Sequence, residues 1–232
     1  MGTTSTAFSK VVAKLASVAV EESSNAFLQD CFRQFGITVV PVGDNFGEIL
    51  GSRKFEACVL RLYDPHAEKI LHAARNSPSN RRMVIYGIAR NTMEALRFSS
   101  FGINAVFDEP LERQGVLKVV RATHLLVIHE LRRYVRIPVV TETIVDVGGT
   151  RNLAAASQEV SAGGMSLRCS SPITSQDMVR LAFTLPGSKP IKVRAQVCWS
   201  RPSEGFYGLR FDNTDEARLA VKTWIDLYLE LV

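Results

Sequence analysis

The sequence contains few cysteines, and none of them is placed to bind a structural metal. They are widely spaced, with no Cys-x-x-Cys pair and no cluster with histidine. Structural zinc sites require such clusters, so this spacing argues against one. Isolated cysteines are typical of buried free thiols in a reducing, intracellular compartment. The four cysteines are Cys31, Cys58, Cys169 and Cys198.

Long apolar runs are also missing from the sequence. No stretch approaches the roughly 20 apolar residues that a membrane-spanning helix requires. The apolar run near the N-terminus, Leu15–Val20, is too short for the hydrophobic region of a signal peptide with its flanks. We therefore expect a cytoplasmic protein without a membrane span.

Charge is modest and is spread along the chain. The 232 residues include 46% hydrophobic and 22% charged residues, with a net charge of +5. This composition is typical of a folded globular protein with one large or two small domains. The basic residues form neither a helix-turn-helix pattern nor a clustered basic helix, so binding to nucleic acid is disfavoured.

Signatures of catalysis are absent as well. The sequence contains no recognisable catalytic triad and no cluster of metal ligands. No Gly-x-Gly-x-x-Gly loop follows the first predicted strand, so there is no support for a dinucleotide site there. We therefore expect a protein that is not an enzyme and that needs no cofactor.

Residues 1–131 alternate short apolar strands with amphipathic helices. This alternation predicts a doubly wound parallel sheet covered by helices on both faces, in the flavodoxin-like order. A long linking helix, from about Leu111 to Arg132, closes this half. The predicted strands are Leu15–Val20, Thr38–Val42, Ala57–Tyr63, Met83–Ile88 and Ala105–Phe107, and the helices between them are Asn25–Phe35, Asn45–Arg53, His66–Asn76 and Thr92–Phe101.

The last predicted strand of this half runs into the turn Phe107-Asp108-Glu109-Pro110. With this turn and with the spacing of its strands and helices, this half resembles the receiver domain of bacterial response regulators. In that family an acidic pair follows the first strand and a phosphoacceptor aspartate ends the third. A Ser or Thr ends the fourth strand, and a lysine precedes the proline after the fifth. The corresponding positions here are Glu21-Glu22, Arg61, a position near Gly87, and Glu109.

Three of these four positions have lost the functional residue of the family. Phosphoryl transfer needs a carboxylate nucleophile and a neutralising cation, whereas Arg61 is a cation and Glu109 would repel a phosphate. We therefore predict a degenerate pseudo-receiver domain used for dimerisation or partner docking. An ion pair between Arg61 and Glu109, with Glu21 or Glu22 as a further partner, should fill the pocket. Two alternatives stay open: a scaffold that only positions the second half, and phosphoryl transfer to Asp64.

The linking helix is more apolar than one face of a domain requires. The run Leu125–Ile128 places apolar side chains all around the helix. Packing of these residues in the core of the first half is one interpretation. A homodimer formed through the C-terminal part of this helix is the other.

Residues 132–232 follow a different pattern. Apolar residues alternate with polar ones and turn sequences recur at short intervals, which predicts an antiparallel β-barrel or sandwich. A terminal helix, Thr214–Leu231, has an apolar face that should cap this barrel. The predicted strands are Val139–Val147, Leu153–Val160, Met165–Cys169, Met178–Leu185, Ile191–Trp199 and Tyr207–Phe211.

Two short motifs lie at the start of this half. An Arg-x-x-x-Arg motif with an additional internal arginine is followed by an acidic-x-Ser-x-x-Gly motif. The motif residues are Arg132, Arg133, Arg136, Glu159, Ser161 and Gly164. With these motifs at this spacing, and with the strand series downstream, the region from about residue 130 to 232 resembles a PilZ domain, a bacterial receptor module for cyclic di-GMP.

The resemblance implies that these six residues bind cyclic di-GMP, with the first and last arginines as a clamp and the middle one assisting. A guanidinium can engage guanine O6 and N7 bidentately. Glu159 would accept hydrogen bonds from the opposite edge of the base, while Ser161 and Gly164 shape the turn. The family has Asp or Asn where this chain has Glu159, whose extra methylene displaces the carboxylate by about one C–C bond.

We therefore predict a signalling adaptor of two domains, residues 1–131 and 132–232. Binding of cyclic di-GMP would change the angle between the domains and present a surface to an unidentified protein partner. One alternative is a PilZ-fold interaction protein that has lost the ligand. A basic regulator that binds nucleic acid is a further alternative with less support.

Overall fold

The computed structural model describes residues 12–173 and 178–231. These residues form two compact units, one from Val12 to Leu131 and one that begins at Arg132. Within the described part of the chain, no helix is both long enough and apolar enough to cross a membrane.

The first unit, between residues 12 and 131, alternates parallel strands with helices. The strands are β1 (Ala13–Val18), β2 (Ile37–Val42), β3 (Ala57–Arg61), β4 (Val84–Ala89) and β5 (Ala105–Asp108), and the helices are α1 (Glu22–Arg33), α2 (Phe46–Ser52), α3 (Ala67–Asn76), α4 (Thr92–Arg97) and α5 (Arg113–Tyr134). The strand order is β2-β1-β3-β4-β5, and every pairing is parallel. This is the doubly wound, flavodoxin-like order, so the fold predicted for this half is confirmed.

The central strands are buried on both faces, as expected for a parallel sheet between two layers of helices. Every residue of β4 is buried, which explains why its sequence is continuously apolar rather than alternating. The Tyr86 hydroxyl lies 2.7 Å from Thr123 Oγ1 and connects β4 to α5. Its ring stacks on Phe107 with 5.3 Å between the centroids. The hydrogen bond holds the linking helix against the sheet of its own unit, and the ring stacking joins β4 to β5.

The segment predicted as a single helix over Thr92–Phe101 is divided in two. Helix α4 ends at Arg97, and a 3₁₀ turn follows over Ser99–Phe101. Phe98 lies between the two with φ of −107° and ψ of 16°, outside the α-helical region. Gly102 then takes the left-handed conformation with φ of +65° and ends the 3₁₀ turn. Its N–H donates to the Ser99 carbonyl at 3.0 Å, which tightens the last turn.

The second unit is built from antiparallel strands and a terminal helix. They are β6 (Ile137–Pro138), β7 (Glu142–Val147), β8 (Arg151–Ser161), β9 (Gly164–Cys169), β10 (Met178–Phe183), β11 (Ile191–Arg201), β12 (Phe206–Phe211) and α6 (Arg218–Leu231). In the described residues, six strands pair in the order β8-β7-β10-β11-β12-β9, and β9 pairs back onto β8 to close a barrel. The short β6 adds to β8. The predicted antiparallel barrel with a terminal helix is therefore confirmed.

Apolar residues at every second position of the strands fill the barrel interior. Leu181 and Val193 are fully buried, and they are register partners on β10 and β11. Helix α6 closes the barrel with Val221 and Ile225, which belong to the same core cluster. This burial of alternate positions is the reason for the period of two seen in the sequence.

The terminal helix begins at Arg218 rather than at Thr214. Asp212 Oδ1 accepts a hydrogen bond from the Thr214 N–H at 2.9 Å. Asp215 Oδ1 accepts one from the Ala217 N–H at 3.0 Å. These side chains hold the segment in turns before the helix starts, because short acidic side chains compete with the helical pattern of backbone bonds.

Candidate functional site

The six predicted site residues lie on three neighbouring pieces of chain. Arg132 and Arg133 are in the last turn of α5, and Arg136 comes directly before β6. The other three lie around the hairpin that joins β8 to β9. Strand β6 pairs with the end of β8, with Ile137 opposite Val160. This pairing brings Arg136 to the hairpin although 22 residues or more separate them in the sequence.

A cavity of about 290 Å³ lies at this hairpin. Four of the predicted residues line it: Arg136, Glu159, Ser161 and Gly164. The motifs did not include four other polar or aromatic residues that line the same cavity: Ser166, Cys198, Trp199 and Arg210. They come from β9, β11 and β12. A cation, a carboxylate, a hydroxyl and an indole therefore share one concave surface.

Two β-bulges lie beside the cavity. The β8–β9 register shifts between Ser157 and Glu159, and the β11–β12 register shifts between Val197 and Trp199. A bulge turns the side chain that follows it away from the regular alternation. Both Glu159 and Trp199 line the cavity, so the irregular positions of two strands supply its acidic and aromatic walls.

A buried serine holds the first bulge in place. Ser157 is fully buried, and its hydroxyl donates to the Val139 carbonyl at 2.6 Å and accepts from the Thr141 N–H at 2.9 Å. These two hydrogen bonds tie the segment between β6 and β7 to β8. They explain why β7 begins at Glu142 and not at Val139, where the sequence pattern placed its start.

The glycine of the second motif is required by close packing of two strands. A Cβ atom at Gly164 would overlap the carbonyl oxygen of Leu209 on β12. The Ser161 hydroxyl donates to the Gly164 carbonyl at 3.0 Å and closes the hairpin. At Gly208 on β12, a Cβ atom would overlap the indole of Trp199. Two glycines thus leave room for the backbone and for the tryptophan that form the cavity wall.

The carboxyl edge of the sheet in the first unit carries an ionic cluster centred on Arg61. Its Nη1 lies 2.6 Å from Glu21 Oε1, and its Nη2 lies 3.8 Å from Glu109 Oε1. The predicted Arg61–Glu109 ion pair is confirmed, with Glu21 as the further partner. The hydrogen bond from Arg61, followed by its charge, lowers the pKa of the Glu21 carboxyl below its ordinary value. A cation therefore neutralises the acidic groups at the position where the receiver family has its phosphoacceptor.

Aromatic and apolar side chains complete this edge. The guanidinium of Arg90 lies 3.9 Å from the centroid of the Tyr63 ring. Burial, followed by a hydrogen bond with Glu109, raises the pKa of Tyr63 to about 12. The Leu62 side chain packs over Gly87, where a Cβ atom would come within 2.6 Å of it. A hydroxyl-bearing side chain at position 87 would therefore require the buried Leu62 side chain to shift.

Asp64, the alternative acceptor, caps a turn. Its Oδ1 accepts a hydrogen bond from the His66 N–H at 2.7 Å. Its own N–H donates to the Arg61 carbonyl at 3.3 Å. The carboxylate therefore has a structural role in the chain that leads into α3. Among the described residues, no group of three or more His, Cys, Asp or Glu is placed to hold a metal ion.

The second unit also matches a known family. A family model described as the PilZ domain matches residues 130–227. The C-terminal unit is a PilZ domain. The match includes all six motif residues and most of α6, and it confirms the resemblance predicted from the motifs. No curated protein matches the chain.

Solved structures similar to the chain include receiver and PilZ domains. The receiver domain of a sensor histidine kinase from Pseudomonas aeruginosa PAO1 is 16% identical, with 48% of this chain and 97% of that chain covered and a TM-score of 0.41. A chemotaxis response regulator from Vibrio cholerae is 15% identical, with 48% and 98% covered and a TM-score of 0.43. The PilZ domain of CeSA from a cellulose-synthesizing bacterium is 16% identical, with 40% and 97% covered and a TM-score of 0.34. The strand order of each unit, rather than these similarities, establishes its fold.

The three motif arginines of the PilZ domain have different partners. Arg136 lines the cavity. Arg132 forms ion pairs with Asp226 and Glu230 on α6, and the Arg133 guanidinium lies 5.6 Å from the centroid of the Tyr134 ring. The structure thus brings one motif arginine together with the second motif. The other two are in the helical turn that leads into it and are not among the described residues that line the cavity.

Proposed function

We propose that the PilZ domain binds cyclic di-GMP at the cavity beside the β8–β9 hairpin, and that the protein is a signalling adaptor. The observation that supports this proposal is the composition of the cavity. It combines Arg136 of the first motif with Glu159, Ser161 and Gly164 of the second. PilZ domains are a receptor family for this ligand, and these are the positions of their two motifs.

The chemistry of the cavity suits a guanine base. The Arg136 guanidinium can donate two parallel hydrogen bonds to guanine O6 and N7. The Glu159 carboxylate can accept from the N1–H and N2–H₂ edge. Trp199 is 43% exposed, and its indole offers a flat surface on which a base can stack. Among the described residues, the Glu159 carboxylate accepts no hydrogen bond from the protein, so its acceptor capacity is open to a ligand.

The size of the cavity suggests that it holds only part of the ligand. Pockets that enclose a drug-sized molecule span about 300–1,000 Å³, and this cavity measures about 290 Å³. One guanine would fit in it, and the phosphates would extend towards the arginines of the preceding helical turn. In this arrangement Arg132 and Arg133 contribute charge rather than recognition of a base.

Calorimetric titration of cyclic di-GMP into the full-length protein tests the proposal. Arg136→Ala should weaken binding by about tenfold to a hundredfold, since hydrogen bonds to charged groups contribute about 1.5–3 kcal/mol. Arg180→Ala is the matched control, because Arg180 is an exposed arginine of β10 that does not line the cavity. Equal affinities for the wild type and Arg136→Ala would contradict the proposed site.

Cys198 offers a second readout that needs no substitution. It is exposed and lines the cavity, whereas the other three cysteines are buried. Alkylation of the native protein should therefore occur at Cys198, and saturating cyclic di-GMP should slow the reaction. GMP at the same concentration serves as the control. An unchanged alkylation rate together with measurable binding would place the ligand elsewhere on the domain.

A ligand-independent interaction module is the second candidate function. Glu159 is the observation that favours it, because its side chain is one methylene longer than the Asp or Asn of the family motif. If the extra length prevents binding, the barrel and the receiver-like unit would act as docking surfaces alone. Absence of heat with cyclic di-GMP at micromolar protein, combined with an intact fold, would support this candidate.

The proposed output is a ligand-dependent change in the angle between the two units, which presents a surface to a protein partner. Helix α5 supports this idea because it begins in the receiver-like unit and carries Arg132 and Arg133 in its last turn. Small-angle X-ray scattering of the full-length protein, with and without cyclic di-GMP, tests it. The scattering profile should change in the wild type and stay constant in Arg136→Ala. Identical profiles at saturating ligand would contradict a reorientation.

A further inference from the structure

Arg132 is held by two carboxylates of the terminal helix. Its Nε lies 3.6 Å from Asp226 Oδ1, and its Nη2 lies 3.6 Å from Glu230 Oε1. Asp226 and Glu230 are four residues apart on α6, so they share one face of the helix. One guanidinium can therefore bridge both. The motif arginine that should bind an anionic ligand is already paired with acidic groups of its own domain.

Helix α6 holds these carboxylates in a fixed position. Val221 and Ile225 are buried in the barrel core. Trp224 Nε1 donates a hydrogen bond to the Pro186 carbonyl at 2.8 Å. The acidic pair is therefore presented by a helix that is packed on the barrel.

Within the part of the chain that the structure describes, this pairing leaves hydrogen-bonding capacity of Arg132 unused. Both N–O distances are 3.6 Å, which is longer than a hydrogen bond. The Nε atom is buried and has no hydrogen-bond partner among the described residues. A phosphate can accept two parallel hydrogen bonds from a guanidinium. A bound phosphate would therefore give Arg132 the hydrogen bonds that the two carboxylates do not form with it.

We propose that Asp226 and Glu230 compete with the phosphates of cyclic di-GMP for Arg132 and thereby set the affinity of the site. This inference rests on the proposed function. In the free protein the two carboxylates neutralise Arg132, so the guanidinium attracts an approaching anion less strongly. On binding, Arg132 exchanges its carboxylate partners for a phosphate. The measured affinity is then lower than the affinity of the same site without the acidic pair.

The test compares the calorimetric affinity of cyclic di-GMP for full-length wild type, Asp226→Asn, Glu230→Gln and the double variant. Removal of two partly exposed ion-pair partners should tighten binding by roughly three- to tenfold in the double variant. Glu216→Gln is the matched control. This substitution removes a carboxylate just before the same helix, more than about 10 Å from Asp226 along the helix axis. The Glu216→Gln variant should therefore bind cyclic di-GMP with the affinity of the wild type.

Two further measurements separate competition from a structural effect. In an Arg132→Ala background, the Asp226 and Glu230 substitutions should no longer change the affinity. The wild type exchanges one ionic partner for another, so its affinity should fall less steeply with salt than that of the double variant. Thermal melting of each variant checks that the fold is retained.

The outcomes distinguish this inference from the proposed function. If the wild type and the double variant bind with the same affinity and salt dependence, competition is wrong while the proposed function stands. If only the double variant binds, competition is strong enough to mask the site. If neither binds at any concentration tested, both proposals are wrong.

Discussion

Glu159 and Arg61 show how single side chains set the chemistry of each unit. Glu159 keeps the hydrogen-bond acceptor of the PilZ motif but carries it on a longer side chain. The acceptor chemistry is therefore preserved, while the position of the acceptor oxygens is changed. At Arg61 the charge itself is reversed. The Arg61 side chain is only 12% exposed, and Glu21 and Glu109 balance its charge. The first unit can therefore keep the receiver-like fold without the residue that accepts a phosphoryl group in that family.

Glu159→Asp should strengthen the binding of cyclic di-GMP, and Glu159→Ala should weaken it by about tenfold or more. Aspartate restores the shorter carboxylate of the family motif. Alanine leaves the guanine N–H donors without a charged acceptor, which costs about 1.5–3 kcal/mol. Calorimetry measures both effects, with Glu142→Ala as a control at an exposed carboxylate outside the cavity. If Glu159→Ala binds cyclic di-GMP with wild-type affinity, Glu159 does not contribute to the site.

Glu21→Gln should lower the melting temperature at pH 7 and have little effect in acid. The hydrogen bond from Arg61, followed by its charge, holds the pKa of the Glu21 carboxyl below its ordinary value of 4.5. A carboxyl whose pKa is lower in the folded protein stabilises the fold above its unfolded pKa. This contribution disappears as the pH falls through the folded pKa. The difference in melting temperature should therefore shrink below pH 4.5.

The control for this pH dependence is Glu22→Gln. Glu22 is adjacent in sequence and forms no ion pair with Arg61 in the part of the chain that the structure describes. Its substitution should leave the melting curve unchanged at both pH values. A difference between wild type and Glu21→Gln that stays constant with pH would contradict the electrostatic explanation.

At the scale of elements, the β8–β9 hairpin depends on contact with β12. Gly164→Ala should destabilise the PilZ domain by about 1–3 kcal/mol, because its Cβ would overlap the Leu209 carbonyl and force two paired strands apart. Gly163→Ala is a matched control one residue away, where no atom lies within 4 Å of an added Cβ. Urea unfolding followed by tryptophan fluorescence measures both. Equal unfolding midpoints for the two variants would show that β9 and β12 can move apart without a loss of stability.

The order of elements could be predicted from the sequence because its signals are local. Continuous apolar runs indicated the buried parallel strands, and alternation indicated the barrel. Glycines at chain reversals gave the turns, and the structure places Gly36, Gly148 and Gly149 at φ values of +65° to +74°. These features depend on a few consecutive residues, so a single sequence reveals them.

The cavity was only partly predictable, because pairing between distant segments builds it. Trp199 and Arg210 reach it through the pairing of β12 with β9, in which Arg210 lies opposite Gly164. The bulge before Trp199 arises from the β11–β12 register. No local pattern indicates such a shift. For the same reason, the arginine motif alone did not indicate the ion pairs of Arg132 with Asp226 and Glu230 on α6.

At the scale of the whole molecule, the chain combines a receiver-like unit with a PilZ domain, and α5 contributes residues to each unit. Its segment in the first unit buries Val120 and Val127 and leaves Leu125 78% exposed and Leu126 48% exposed. The apolar run noticed in the sequence therefore has both a packed and an exposed side, so core packing explains only part of it.

We expect the exposed leucines of α5 to support a homodimer in solution. Light scattering coupled to size exclusion should give a dimer mass for the wild type, and Leu125→Glu should shift it towards the monomer. A glutamate at the interface would bury an unpaired charge. Leu219→Glu is the control, because Leu219 is 51% exposed on a different helix. A monomeric wild type at micromolar concentration would contradict the dimer.

The packing of Leu62 over Gly87 bears on the evolution of the first unit. A lineage that regained phosphoryl transfer would need a carboxylate at position 61, a hydroxyl near position 87 and a lysine at position 109. Arg61→Asp alone would gather three acidic side chains with no cation between them, and a larger residue at 87 would collide with Leu62. Both of these single substitutions should therefore lower the stability of the first unit. A phosphoryl-transfer site at this edge of the sheet would need several substitutions made together.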